Sequence, residues 1–246
     1  MSKLLQNFSA ERIAKVLSRS GVCSRREAER LILQGRISVD GKIIDSPALN
    51  VSSENNILFD GNPIPDIEPT RIWRYHKPPG RLTTRKDPED RPTIFDGLPK
   101  EFSNLKTIGR LDMNTEGLLL LTNDGELARY LELPTTGWTR KYRIRVHGTI
   151  DTKIFLKLKN RVTIEGHEYG PVIANLERQV GANAWIEISL QEGKNREVRR
   201  LMEHFGYTVN RLIRVSFGPF HLGKLPRGQF EEIPPRVLLS NLPSDY

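Results

Sequence analysis

Residues 109–124 read GRLDMNTEGLLLLTND, and the fold turns on what that stretch is. Leu118–Leu121 is an uninterrupted apolar run ending on a turn signal, the pattern of a strand buried on both faces. An arginine and an aspartate two residues apart, between glycines, stand directly before it. Three readings of that polar knot compete. A calcium loop matches at Asp112, Asn114, Glu116 and Gly117, but it needs a glutamate where the chain has Asn123, and flanking helices where it has leucines. That reading fails. A salt-bridged turn between Arg110 and Asp112 at the end of a strand is the plain alternative. The third is a catalytic carboxylate kept ionised by an arginine.

The 246 residues suffice for one or two domains with a sizeable core, and Lys+Arg 38 against Asp+Glu 30 leaves a net charge of +8. That surplus points to a polyanionic partner. No apolar run reaches the ~18 residues of a membrane helix, and the first residues lack a signal-peptide core. The single cysteine, Cys23, excludes an intramolecular disulfide and a cysteine metal cluster. A soluble cytoplasmic monomer with no membrane partner is the expectation.

Ahead of the knot lies a compact module, residues 9–60. Ile13, Val16 and Leu17 share one helical face that ends at Gly21. A second helix opens with Ser24 and Glu27 as a capping box and carries Ala28, Leu31 and Ile32. RISVDGKII then turns at Asp40-Gly41, a hairpin signal. Pro63, Pro65 and Pro69 mark residues 61–70 as a stiff linker. Residues 71–237 form a larger domain and 238–246 a tail. In the larger domain, RIWRYHK, 117–121, 141–146 and 185–190 have strand character, and 126–131, 152–158 and 196–205 have helical character. The fold class expected is α+β, a mixed, mainly antiparallel sheet with flanking helices behind a small N-terminal module.

Between residues 11 and 36 lie Arg12, Lys15, Arg19, Arg25, Arg26, Arg30 and Arg36, against three glutamates. Arg25 and Arg26 fall in the first turn of a helix, where the dipole disfavours cations by ~0.3–1 kcal/mol. A bound phosphate reverses that penalty, so a nucleic-acid surface is favoured over a merely solvated face. A second cluster, Lys194, Arg196, Arg199 and Arg200, crowds the start of the helix in EGKNREVRRLMEHFG. Gly193-Lys194 is not a nucleotide phosphate loop, because Ile188 stands where its first glycine belongs. No acidic cluster suits two-metal chemistry, and the five histidines lack zinc-ligand spacing. One carboxylate, a tyrosine-bearing strand and many arginines remain, a set suited to chemistry on a nucleobase without cofactor or metal.

At these residues the chain resembles the pseudouridine synthases of the RsuA/RluB branch. GRLDMNTEGLLLLTNDG is similar to the signature around that family's catalytic aspartate. TRKYRIRVHG resembles its second motif, EGKNREVRRLMEHFG and RLIRVSFGPF its third, and YHKPPG its strand-to-loop entry. The N-terminal module is similar to the alpha-L RNA-binding module carried in front. The resemblance runs from about Glu11 to Pro235 and is closest to the large-subunit rRNA members, with every motif shared by the small-subunit branch. It implies isomerisation of uridine to pseudouridine within ribosomal RNA, in a hairpin of 23S-type rRNA or in an assembly intermediate.

Carried over by motif, Asp112 attacks the uracil ring or the sugar, or deprotonates the sugar, and Arg199 pairs with it. Tyr142 stacks on the flipped base and removes the C5 proton. Arg110 fills the gap left by that base. Lys77 and Arg81, beside KPPG, and Lys194 and Arg196 contact RNA phosphates, as do Lys15, Arg19, Arg25 and Arg26 of the module. The alternative function is a non-catalytic rRNA-binding or ribosome-assembly factor in which both domains only clamp RNA.

Overall fold

The structure is a computed structural model that describes residues 10–99, 102 and 104–242. The first nine residues and the last four of the expected tail lie outside the described residues. Contacts divide the chain into two units.

The first unit begins with β1 (Glu11–Arg12), α1 (Ile13–Arg19) and α2 (Arg25–Leu33). Ile13, Val16, Leu17, Ala28, Leu31 and Ile32 are buried together in its core, as their helical spacing requires. Ser24 caps α2 by accepting from the Glu27 N–H at 3.2 Å. The return half of the expected capping box is missing, because the Glu27 carboxylate pairs with Arg30 at 2.6 Å instead. Strands β2 (Ile37–Val39) and β3 (Lys42–Ile43) join through Asp40 and Gly41, both at positive φ, the geometry that matches strand twist in a two-residue hairpin. β4 (Asn50–Val51) pairs with β1.

The same turn recurs. Asp60 and Gly61, at φ 48° and 79°, connect β5 (Ile57–Phe59) to β6 (Asn62–Pro63), and the four-stranded order is β3-β2-β5-β6. This corrects the linker expected from residue 61. Pro63 sits on an edge strand, where a missing N–H is tolerated, and Ile64 and Ile67 pack against the unit's core.

The second unit is built on one sheet. Its strands are β7 (Ile72–Lys77), β8 (Lys106–Ile108), β9 (Glu116–Thr122), β10 (Arg140–His147), β13 (Ile173–Val180), β14 (Asn183–Leu190), β15 (Val209–Phe217), β16 (Phe220–His221) and β17 (Phe230–Glu232). The short β11 (Val162–Ile164) and β12 (His167–Tyr169) pair apart, and the helices are α3 (Gly125–Glu132), α4 (Lys153–Leu158) and α5 (Glu197–His204). The strand order is β13-β14-β10-β15-β9-β7-β17, with β8 on β9 and β16 on β15. Among the described strands of this sheet only β9 and β15 run parallel, so the sheet is mixed and mainly antiparallel. Leu118–Leu121 are each fully buried, and Val198, Leu201 and Met202 of α5 pack with Ile144, Val146 and Ile186 of the sheet.

The last helix, α6 (Pro235–Leu239), buries Leu238 and groups with the first unit. The boundary expected at 237/238 therefore falls inside a helix. No helix among the described residues is long and apolar enough to cross a membrane.

Candidate active site

Gly117 begins the construction. Its φ is +107°, and a Cβ there would stand 2.3 Å from the carbonyl oxygen of Arg214. Only glycine permits the parallel approach of β9 to β15, in which Gly117 lies opposite Arg214. That junction carries the Asp112 loop at its edge.

The loop is held through its backbone. Glu132 accepts from the Gly109 N–H at 2.7 Å. The Thr83 hydroxyl donates to the Leu111 carbonyl at 2.8 Å and accepts from the Leu111 N–H at 3.3 Å. Lys77 Nζ donates to the carbonyls of Met113 and Thr115 at 3.1 and 2.9 Å, and the Gly80 N–H also donates to Met113. Arg199 Nη2 donates to the Asn114 carbonyl at 3.1 Å. The half-buried Asp112 carboxylate has no hydrogen bond or ion pair among the described residues.

Two expectations change here. Arg199 does not pair with Asp112. Its Nη1 binds the Val209 carbonyl at 2.7 Å and its Nη2 that of Asn114. Burial pushes its guanidinium down, Arg196 adds to this, and Asp112 pulls it up through the field alone. Lys77 is no RNA contact, for it is 0 % exposed and its ammonium is committed to three carbonyls. Burial drags it down to about 8, against the opposing pull of Asp112 and Glu116.

A cavity of ≈ 550 Å³ brings Asp112, Tyr142, Arg110, Lys194 and Arg196 together, within the ~300–1,000 Å³ range of small-molecule sites. Arg110 is exposed and Tyr142 half-buried. Lys194 pairs with Glu192 at 2.7 Å, and Arg196 takes a left-handed φ of 51° at the start of α5. Arg81 does not line this cavity. It donates to the Thr93 carbonyl at 2.9 Å, bracing its own loop.

In the first unit, Lys15 and Arg19 both lie on Glu11, at 2.8 and 3.3 Å, so much of their charge is met internally. Arg25 and Arg26 are exposed, with no ion pair among the described residues.

Among the cavity residues that sequence reasoning missed are Arg140, Glu197 and Arg214. Arg140 was within reach, since strand alternation puts it on the face of Tyr142. Glu197 is buried and accepts from the Lys194 N–H at 2.9 Å; burial raises its carboxyl. Arg214 carries no signal apart from strand register.

The profile of the RNA pseudouridylate synthase family matches residues 71–204, and that of the S4 domain residues 11–57. An RNA pseudouridine synthase of Rickettsia felis is 46% identical over 231 residues, covering 93% of this chain and 99% of its own. Ribosomal large subunit pseudouridine synthase B of Yersinia pestis is 44% identical over 230 residues, 91% of this chain and 72% of its own. A crystal structure of a pseudouridylate synthase superposes with a TM-score of 0.65 at 23% identity, covering 94% of this chain and 99% of that one, a likeness of fold. An Asp112 loop gripped by its backbone, a tyrosine lining the same cavity and an S4 domain earlier in the sequence accompany those matches, and the chain belongs to the RNA pseudouridylate synthase family, isomerases acting on RNA.

Proposed function

We propose that this protein isomerises a specific uridine to pseudouridine in ribosomal RNA of the large subunit, with Asp112 as the catalytic carboxylate. The observation that carries the reading is the Asp112 loop. Its main chain is fixed by four side chains while its carboxylate has no hydrogen-bond or ion-pair partner among the described residues, the arrangement of a reactive group on a preorganised support. The 44% identity to a large-subunit enzyme supports the choice of rRNA.

The target uridine leaves its stack to reach the cavity. Asp112 attacks the ring or the sugar, or takes a sugar proton; the glycosidic bond breaks, the uracil turns, and C5 joins the sugar. Tyr142 stacks on the base and takes the C5 proton. Arg110 occupies the vacated place in the RNA. Lys194, Arg196, Arg25 and Arg26 meet phosphates.

The test is a map of pseudouridine in rRNA from cells lacking the gene, with and without an Asp112→Asn copy. Loss of one large-subunit position, restored by wild type only, is expected. Loss in small-subunit rRNA would move the substrate, and restoration by Asp112→Asn would remove Asp112 from the chemistry.

A further inference from the structure

Tyr142 on β10 and Arg214 on β15 are register partners, beside an irregularity between Lys141 and Tyr142. Directly opposed residues of antiparallel strands project to one face, with Cβ atoms about 4.5–5.5 Å apart. Both line the cavity that holds Asp112. Arg214 is 3 % exposed. Its Nε is committed to the Leu118 carbonyl at 2.7 Å, but its buried Nη2 makes no hydrogen bond among the described residues. A guanidinium out of water with an idle donor is costly unless negative charge comes to it.

A second guanidinium converges on the same wall. Arg140 lines the cavity, is tied back by the carbonyls of Trp138 and Gln191, and stands 4.9 Å from the Phe217 ring, while Arg214 stands 5.3 Å from it. Two cations around one ring repel, so the wall favours an anion. Burial pushes the Arg214 guanidinium down, Arg140 adds to this, and the Tyr142 phenol pulls it back up. Glu197 acts on Arg140 instead.

We propose that Arg214 is a positioning residue for the reaction, its guanidinium orienting the Tyr142 oxygen as acceptor of the C5 proton. This rests on the reading of Tyr142 as the base. In the step, the Tyr142 oxygen takes the proton from C5 as its own hydroxyl proton passes to N1, the C5–H electron pair re-forms the C5=C6 bond of the uracil, and the C6=N1 pair returns to N1. No oxidant or reductant enters. Arg214 keeps its own protons throughout, so it orients the acceptor without replacing it.

The experiment uses the full-length protein and an rRNA fragment transcribed with ordinary or C5-deuterated uridine. Arg214→Gln should lower kcat about 10²-fold, leave KM nearly unchanged, and show a larger primary isotope effect on kcat than wild type, because proton removal has become limiting. Arg214→Lys retains a cation and should recover most of the rate. Slow Arg214→Gln without an increased isotope effect, or normal turnover, overturns the proposal. If Arg214→Gln fails to fold for want of the Leu118 contact, Arg214→Lys decides. A near-normal rate or an enlarged isotope effect supports the proposal, and a slowed rate with an unchanged isotope effect overturns it. Tyr142→Phe is measured in parallel. Wild-type turnover by that variant sinks the reading of Tyr142, whereas a slow Tyr142→Phe beside a normal Arg214→Gln sinks only the role of Arg214.

Discussion

Arg199 donates to the carbonyl of Asn114 at 3.1 Å, two residues beyond Asp112, and leaves the Asp112 carboxylate untouched. The arginine nearest the carboxylate in function is thus a brace for its loop and a source of field. Arg199→Lys should therefore impair kcat, because a point charge cannot span the Val209 and Asn114 carbonyls together. A fall of roughly tenfold or more, equal to about 1.4 kcal/mol, is expected in single-turnover assays. Unchanged kcat would mean that the brace is redundant.

Asp112→Asn should abolish turnover while RNA affinity stays within a few fold, since the amide preserves shape but is neither nucleophile nor base. Tritium release from C5-labelled uridine measures the first, filter binding the second. The carboxylate makes no hydrogen bond or ion pair among the described residues, so the melting temperature should hold.

Lys77 gives a pH signature. Its ammonium is pulled down to about 8 in the folded protein, against ~10.4 in an unfolded chain. Between those values the unfolded state binds more protons, so this group's contribution to stability rises with pH. In Lys77→Met that rise disappears. Urea unfolding at pH 7 and pH 9.5 should show wild type gaining on the variant at the higher pH, by the order of 1–3 kcal/mol. At pH 7 the variant should already be weaker, having left carbonyls of the loop without their donor. A difference that does not grow with pH would contradict the depressed ammonium.

Gly117→Ala should be severely destabilising, by roughly 3 kcal/mol or more, since a Cβ meets main chain rather than a yielding side chain. Thermal denaturation reads this directly, and a variant melting within a degree of wild type would refute the close approach.

Arg25→Ala with Arg26→Ala should flatten the dependence of log affinity on log salt by about one to two units, while kcat at saturating RNA stays put. An unchanged slope would leave the exposed pair of α2 as solvated surface.

Some of this was legible in sequence. The burial of Leu118–Leu121 on both faces follows from four leucines without alternation, and the periods of α2 and α5 were plain. β13 was missed because it is an edge strand with only Ala174 buried, and so has no apolar period to read. The turn at Asp60-Gly61 repeats the signal at Asp40-Gly41, yet three nearby prolines drew the reading towards a linker. Lys77 looked like a surface charge because lysine rarely lies fully buried; what compensates it is a cage of carbonyls that exists only after folding. Arg199 and Arg214 were misjudged or overlooked for the same reason, since their partners are backbone or cross-strand groups far away in sequence.

The grip on the Asp112 loop is blind to the identity of the residues it holds. Thr83, Lys77, Arg199 and Glu132 address peptide groups, and those are common to all amino acids apart from the missing N–H of proline. Met113 and Asn114 can therefore vary in side chain while the aspartate keeps its place. Specificity for different RNA contexts can be tuned at the loop's outer face without disturbing the chemistry beneath, and a library randomised at 113 and 114 should stay rich in active clones where one randomised at 77 and 83 does not.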